Sequence, residues 1–234
     1  MSTSRERMLG RLRASLAQSR DELAAEAARA PHTPPPFVHP PQDDLVAQFA
    51  AELARLEGYP HRCADDEEAL EVIRSILESH GAQSVVAWDL EQIGLPNLAA
   101  LLAQLGVRAL DGQVAHTGAD RAARLQTVEP APVCISGADV GIAESGTLVL
   151  RSGAGRGRLA SLVAPVHIAV LRGPQIVRGL GEALARVQAQ AGPDVFADSS
   201  NLTLITGPSR TADIELTLTL GVHGPREIHV VLID

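Results

Sequence analysis

The runs VHIAVL at residues 166–171 and IHVVLI at 228–233 are apolar at nearly every position, without the alternation that a strand with one wet face would show. A short, β-branched, unbroken apolar run bounded by glycine and proline marks a strand buried on both faces. Such strands belong to parallel sheets covered by helices on either side. Runs of similar character occur at Ser84–Trp88, Val107–Leu110, Val133–Ser136, Thr147–Arg151 and Leu202–Thr206. Between some of them the spacing of apolar residues becomes helical, over Leu95–Leu105 and Ile176–Ala191. Strand alternating with helix predicts an α/β fold in three layers, with a largely parallel sheet between helices.

Further upstream, Asp43 and Asp44 precede Leu45, Phe49, Leu53 and Leu56, a helical spacing that runs to Gly58. A second helix is predicted after the acidic run Asp65, Asp66, Glu67 and Glu68, with Leu70, Ile73, Ile76 and Leu77 turned inward and an end near His80 and Gly81. Leu9, Leu12, Leu16 and Leu23 place an apolar stripe along a helix over Ser4–Arg29, and prolines 31, 34, 35, 36, 40 and 41 stop it. The expected organisation is a helical arm at 1–30, a proline-rich linker at 31–42 and one α/β domain at 43–234. The arm reads equally well as packing on its own domain and as docking a partner.

Composition excludes several chemistries. All 20 basic residues are arginines, so no lysine is present to form a Schiff base, attach pyridoxal phosphate or serve a P-loop. A net charge of -8 with 2% aromatic residues argues against nucleic acid. Cys63 and Cys134 stand far apart, which excludes a disulfide framework and leaves this chain without a cysteine motif for an iron–sulfur cluster. His116, His167, His223 and His229 show no metal-ligand spacing, and no metal or other cofactor is expected. No apolar run approaches the roughly 20 residues of a membrane span, and the N-terminus lacks a signal-peptide core. A cytoplasmic location is expected.

Two segments carry candidate chemistry. In residues 137–171, Arg151, Arg156 and Arg158 lie on a glycine-rich loop, where guanidiniums suit a bidentate grip on carboxylate or phosphate; a solvated hairpin tip is the competing reading. The glycines do not keep G-x-G-x-x-G spacing. Glu144, in IAESGTLVL, sits at a strand entrance beside Gly146, a place for a general base or nucleophile or simply for a turn-capping acid. In the second segment, ITGPSRTADIELTLTLGVHGP, Gly207 and Pro208 end a strand. Ser209, Arg210, Thr211 and Asp213 follow, with His223 on a later turn, so this strand end reads as an anion-binding edge. Residues 212–220 alternate like a strand, whereas a parallel crossover from Leu202–Thr206 to Ile228–Ile233 would require a dozen or more residues, usually helical. That requirement favours a short helical or mixed segment.

GIAESGTLVL, GRGRLASLVAPVHIAV and ITGPSRTADIELTLTLGVHGP together resemble the LUD-domain family in its lactate-utilisation branch, over most of the chain after the linker. The resemblance implies a fold akin to the sugar-phosphate isomerase and coenzyme A transferase superfamily. It also implies a role in oxidising L-lactate to pyruvate beside iron–sulfur lactate-utilisation subunits. A small anionic ligand is then expected at Gly207, Ser209, Arg210, Thr211, Asp213 and His223, with Arg158 contributing. By fold-level analogy with coenzyme A transferases, Glu144 is the candidate for carboxylate chemistry in a stand-alone enzyme.

Overall fold

The computed structural model describes residues 4–29, 35–40, 42–113, 119–192, 199–212 and 218–234. The chain runs through α1 (Ser4–Arg29), α2 (Leu45–Arg55), β1 (Tyr59–Cys63), α3 (Asp66–Ser79), β2 (Ser84–Ala87), α4 (Leu98–Gln104), β3 (Arg108–Asp111), α5 (Ala119–Val128) and β4 (Val133–Gly137). There follow β5 (Val140–Ile142), β6 (Thr147–Gly153), β7 (Val166–Arg172), β8 (Ile176–Val177), α6 (Leu180–Ala191), β9 (Ser199–Thr206), β10 (Arg210–Ala212), β11 (Leu218–Leu220) and β12 (Glu227–Ile233). Two compact units result, residues 1–34 and 35–234. In the first, α1 exposes Met8, Leu12 and Leu16.

In the second unit six parallel strands form one sheet in the order β1-β12-β7-β4-β2-β3. The two apolar runs become its inner neighbours β7 and β12, paired from Glu227↔Val166 to Ile233↔Arg172, and Ile228–Ile233 is buried throughout. Burial on both faces removes any need for alternation, which is why these strands read so plainly in the sequence. The acidic residues before the helices act as caps. Asp44 accepts from Ala47 N at 2.9 Å, and Asp65 accepts from Glu67 N and Glu68 N at 3.0 and 2.9 Å, each cap contributing about 1 kcal/mol. Phe49, Leu53, Ile73, Ile76 and Leu77 of α2 and α3 pack into the main core with the sheet residues.

Three expectations about the strands are corrected. Thr147–Arg151 and Leu202–Thr206 do not join the parallel sheet: β6 and β9 lie in a second sheet, β8-β5-β6-β9, where β5–β6 and β6–β9 are antiparallel. The cause is connection length. Only Ala143–Gly146 separate β5 from β6, too few for a crossover, so the chain turns back as a hairpin. A small core of Val140, Ile142, Val149, Ala183 and Val187 joins this sheet to α6.

Residues 210–212 and 218–220 are not helical but pair as antiparallel strands, Arg210↔Leu220 to Ala212↔Leu218. The crossover requirement disappears because β9 and β12 belong to different sheets, and the local alternation was the better guide. Residues 213–217, Asp213 included, lie outside the described residues. Finally, Ile176–Ala191 starts as β8, paired with β5, and becomes helical only after Gly179.

Candidate functional site

β2 and β4 are neighbours in the parallel sheet, but the chain leaves β2 for β3 on one side and eventually leaves β4 for β7 on the other. Such a divergence opens a crevice beyond the carboxyl ends of the two strands, the place where open α/β sheets hold ligands. Here that crevice is a cavity of ≈ 400 Å³. Trp88, Gln92, Ile93 and Gly94 line it after β2, Ala138 and Asp139 after β4, and Arg172 at the end of β7 with Gln175 just beyond. β6 and the turn that follows it contribute Arg151 and Arg156, and α6 contributes Gln190.

The charged groups are organised around Asp139, whose side chain is only 4% exposed. Pairing of β5 with β6 brings Arg151 across to it: Asp139 N donates to Val149 O, Arg151 N donates to Oδ2 at 2.7 Å, and Arg151 Nε and Nη2 donate to Oδ1 at 3.2 and 3.1 Å. Arg156 Nη1 donates to the same Oδ1 at 2.8 Å and its Nε to Gln92 Oε1 at 2.8 Å, while its guanidinium carbon lies 5.0 Å from the Trp88 ring centroid. Charge-assisted bonds and cation–π contact thus fix the plane of Arg156. Arg172 is anchored separately, from Nη2 to Asp66 Oδ1 at 2.7 Å and from Nε and Nη2 to Gly94 O at 3.2 and 2.8 Å. Gln175 Oε1 accepts from Arg172 N at 2.8 Å, and its Nε2 donates to Ala138 O at 2.6 Å. A guanidinium has five N–H donors, so each arginine retains donors beyond those these contacts use.

The glycine-rich turn after β6 is part of this construction rather than a solvated tip. Asp89 N donates to Gly155 O at 2.7 Å, and Gly155 has φ +71. A Cβ there would collide with Gln92 Nε2 and Asp89 Oδ2. Of the three arginines singled out in this segment, Arg151 and Arg156 line the cavity. Arg158 is exposed on the following 3₁₀ turn and does not.

Gly207, Ser209, Arg210, Thr211 and His223 do not line the cavity either. Arg210 Nη2 donates to Leu56 O and pairs with Glu57 Oε2 at 3.0 Å, so its guanidinium closes the carboxyl end of α2, where a cation is favoured by the helix dipole. Gly207 has φ +78, and a Cβ on it would stand 3.1 Å from the Leu56 Cβ. Ser209 N donates to Pro225 O at 2.8 Å and Ser209 O accepts from Gly221 N at 2.9 Å, tying the β10–β11 hairpin to the approach to β12; His223 is exposed on that turn. An anion-binding edge is expected where Leu202–Thr206 ends as a strand of the parallel sheet; β9 lies in the other sheet, and Arg210 at its carboxyl end meets the terminus of α2.

Glu144 is engaged elsewhere. Its Oε2 accepts from Val38 N and His39 N at 2.7 and 2.9 Å, and its Oε1 accepts from Leu180 N at 3.2 Å. Burial alone would raise its pKa, but the backbone N–H groups of His39, Val38 and Leu180 outweigh it and hold the carboxyl below its ordinary value. Glu182 N donates to Pro36 O at 3.3 Å, and Arg178 stacks 4.8 Å from the Phe37 ring centroid. Part of the proline-rich segment is therefore a strap fastened beside β5.

A LUD-domain model matches residues 46–233. The chain belongs to the LUD-domain family. Lactate utilization protein C of Geobacillus sp. (strain WCH70) is 32% identical to it over 199 residues, 82% of this chain and 80% of that one. The protein of the same name from Halalkalibacterium halodurans is 33% identical over 165 residues, 70% and 69% of the two chains. The crystal structure of a DUF162 family protein from Deinococcus radiodurans superposes with a TM-score of 0.58 at 23% identity, over 83% of this chain and all of that one, a likeness of fold. These relationships support a role for this LUD-domain chain in lactate utilisation. Among the described residues, no helix is long and apolar enough to cross a membrane.

Trp88, Gln92, Asp139, Arg172, Gln175 and Gln190 were not singled out from the sequence. Asp139 alone had a usable signal, an acid isolated between the strands of GADVGI; the others depend on where distant segments meet.

Proposed function

We propose that this chain is a non-redox member of an L-lactate utilisation system, working beside iron–sulfur subunits, and that its switch-point cavity binds a small anionic ligand of that system. The observation that carries the reading is the convergence of Arg151, Arg156 and Arg172 on one cavity where, among the described residues, the one lining carboxylate, Asp139, is already committed to two of them. Planar guanidiniums held by partners on one edge offer the other edge to a carboxylate or phosphate. Cys63 and Cys134 are buried and free, and burial pushes each thiol up to about 11, which supports placing electron transfer in partner subunits. The finer kinship to sugar-phosphate isomerases and coenzyme A transferases belongs to the same proposal. Glu144 is a weak nucleophile in this setting because both its oxygens already accept backbone hydrogen bonds.

Calorimetry of the full chain with L-lactate and pyruvate tests the reading. Saturable binding that weakens at least tenfold, about 1.4 kcal/mol, in Arg156→Ala is expected; unchanged affinity in the variant removes the cavity assignment, and absence of heat with both ligands removes lactate and pyruvate as its occupants. Deletion of the gene should abolish growth on L-lactate, and undiminished growth removes the lactate role.

A further inference from the structure

The cavity is too large and too positive for a three-carbon acid alone. Lactate has six non-hydrogen atoms, fewer than about 180 Å³ even at ~30 Å³ each, the share of one liquid water, whereas the cavity measures ≈ 400 Å³. At that allowance it has room for about a dozen atoms. Among the described lining residues, three guanidiniums stand against one carboxylate, a formal excess of two positive charges. Asp66, which pairs with Arg172, does not line the cavity, and its side chain is 36% exposed and screened by solvent.

The positive groups also fall into two independently built sets. Arg151 and Arg156 share Asp139 Oδ1 and belong to β6 and its turn. Arg172 extends from the end of β7 and is held by Gly94 O and Asp66, with Gln175 bonded to its backbone. Among the described residues, no hydrogen bond or ion pair joins the two sets. No thiol, hydroxyl or imidazole is among the described lining residues, and the lining carboxylate, Asp139, has both oxygens bonded to arginine donors, so the lining is equipped to hold charge.

We infer that the cavity takes a ligand with two separated anionic groups, one on the Arg151–Arg156 pair and the other on Arg172, with Arg172 deciding for two charges over one. The inference rests on the anion-binding reading of this cavity and narrows it to dicarboxylates and carboxylated phosphate esters. Asp139 is the positioning residue of the first clamp.

Calorimetry of the full chain with butyrate, glutarate and 3-phosphoglycerate separates these classes. At least tenfold tighter binding of glutarate or 3-phosphoglycerate than of butyrate is expected, and which of the two leads tells a dicarboxylate site from a phosphate-ester site. Arg172→Ala should erase the preference. Arg172→Gln keeps a donor for Gly94 O, so it should erase the preference while melting like wild type even if the alanine variant unfolds. Equal affinity for butyrate, glutarate and 3-phosphoglycerate, or a preference that survives in Arg172→Gln, overturns the inference. If L-lactate or pyruvate binds while glutarate and 3-phosphoglycerate bind no tighter, this inference falls and the broader reading stands; if no anion binds, both fall.

Discussion

Two carboxylates bracket the short strand β5, and they are used in opposite ways. Asp139, before the strand, is almost fully buried and is bonded by the side chains of Arg151 and Arg156 as well as by one backbone N–H. Glu144, just after it, is partly exposed and bonded by three backbone N–H groups from residues 38, 39 and 180. A backbone donor bonded to a carboxylate is consumed in fixing the path of the chain. A guanidinium bonded to one keeps donors for something else. The residue with the more suggestive local sequence, Glu-Ser-Gly, is thus a fastener, and the one in the unremarked Gly-Ala-Asp organises the cavity.

The sharpest way to break this contrast is Asp139→Ala. Removing one member of a buried ion pair strands the other, and with Arg151 and Arg156 partly exposed the expected loss is about 3 kcal/mol in urea unfolding, together with loss of anion binding. A loss below about 1 kcal/mol with binding intact would mean that Asp139 organises nothing.

Acid provides the next largest effect. His167 and His229 are buried, and burial, with His229 adding to it for His167 and His61 for His229, lowers both pKa values to about 4. Between about 6.5 and 4 the unfolded chain binds more protons than the folded one at these positions, so stability rises with pH across that window and is lost on acidification. Each histidine should remove about 1 kcal/mol per pH unit within it. The carboxyl of Glu144, lowered below its ordinary value, contributes stability that is present above the unfolded pKa and lost only as pH falls through the folded one. At pH 5, amide exchange should therefore show Val38 and His39 still protected by the strap although global stability has dropped; early loss of that protection would separate the strap from Glu144.

Glu144→Gln should have the smallest global effect, about 1 kcal/mol, because the amide keeps one acceptor and loses the charge. Its signature is local: faster exchange at Val38, His39 and Leu180 and easier proteolytic cleavage within residues 35–40. Unchanged protection there would show that the cation–π contact of Arg178 with Phe37 holds the strap without the carboxylate.

The inner strands β2, β4, β7 and β12 of the parallel sheet were legible because burial on both faces leaves a local mark. β1, YPHRC, was not, since an edge strand with mixed exposure has no apolar run. Sheet membership was invisible for β6 and β9 because pairing is non-local, and that same non-locality hid the site. Arg151 and Arg156 could be recognised as anion-binding residue types, but Asp139 meets Arg151 only because β5 pairs with β6, and Arg172 arrives from a strand on the far side of β4. The cluster around Ser209 and Arg210 is ambiguous in sequence for a related reason: its residue types suit an anion, and a helix terminus such as the end of α2, which Arg210 meets, draws on the same types.

The choice of arginine for every positive group in the cavity has one more consequence. Arginine, unlike lysine, does not surrender its charge in the pH range where proteins remain folded. On the proposed reading such a cavity is a fixed-charge ion exchanger: an anion in it would be displaced by competing salt or by protonation of the anion itself.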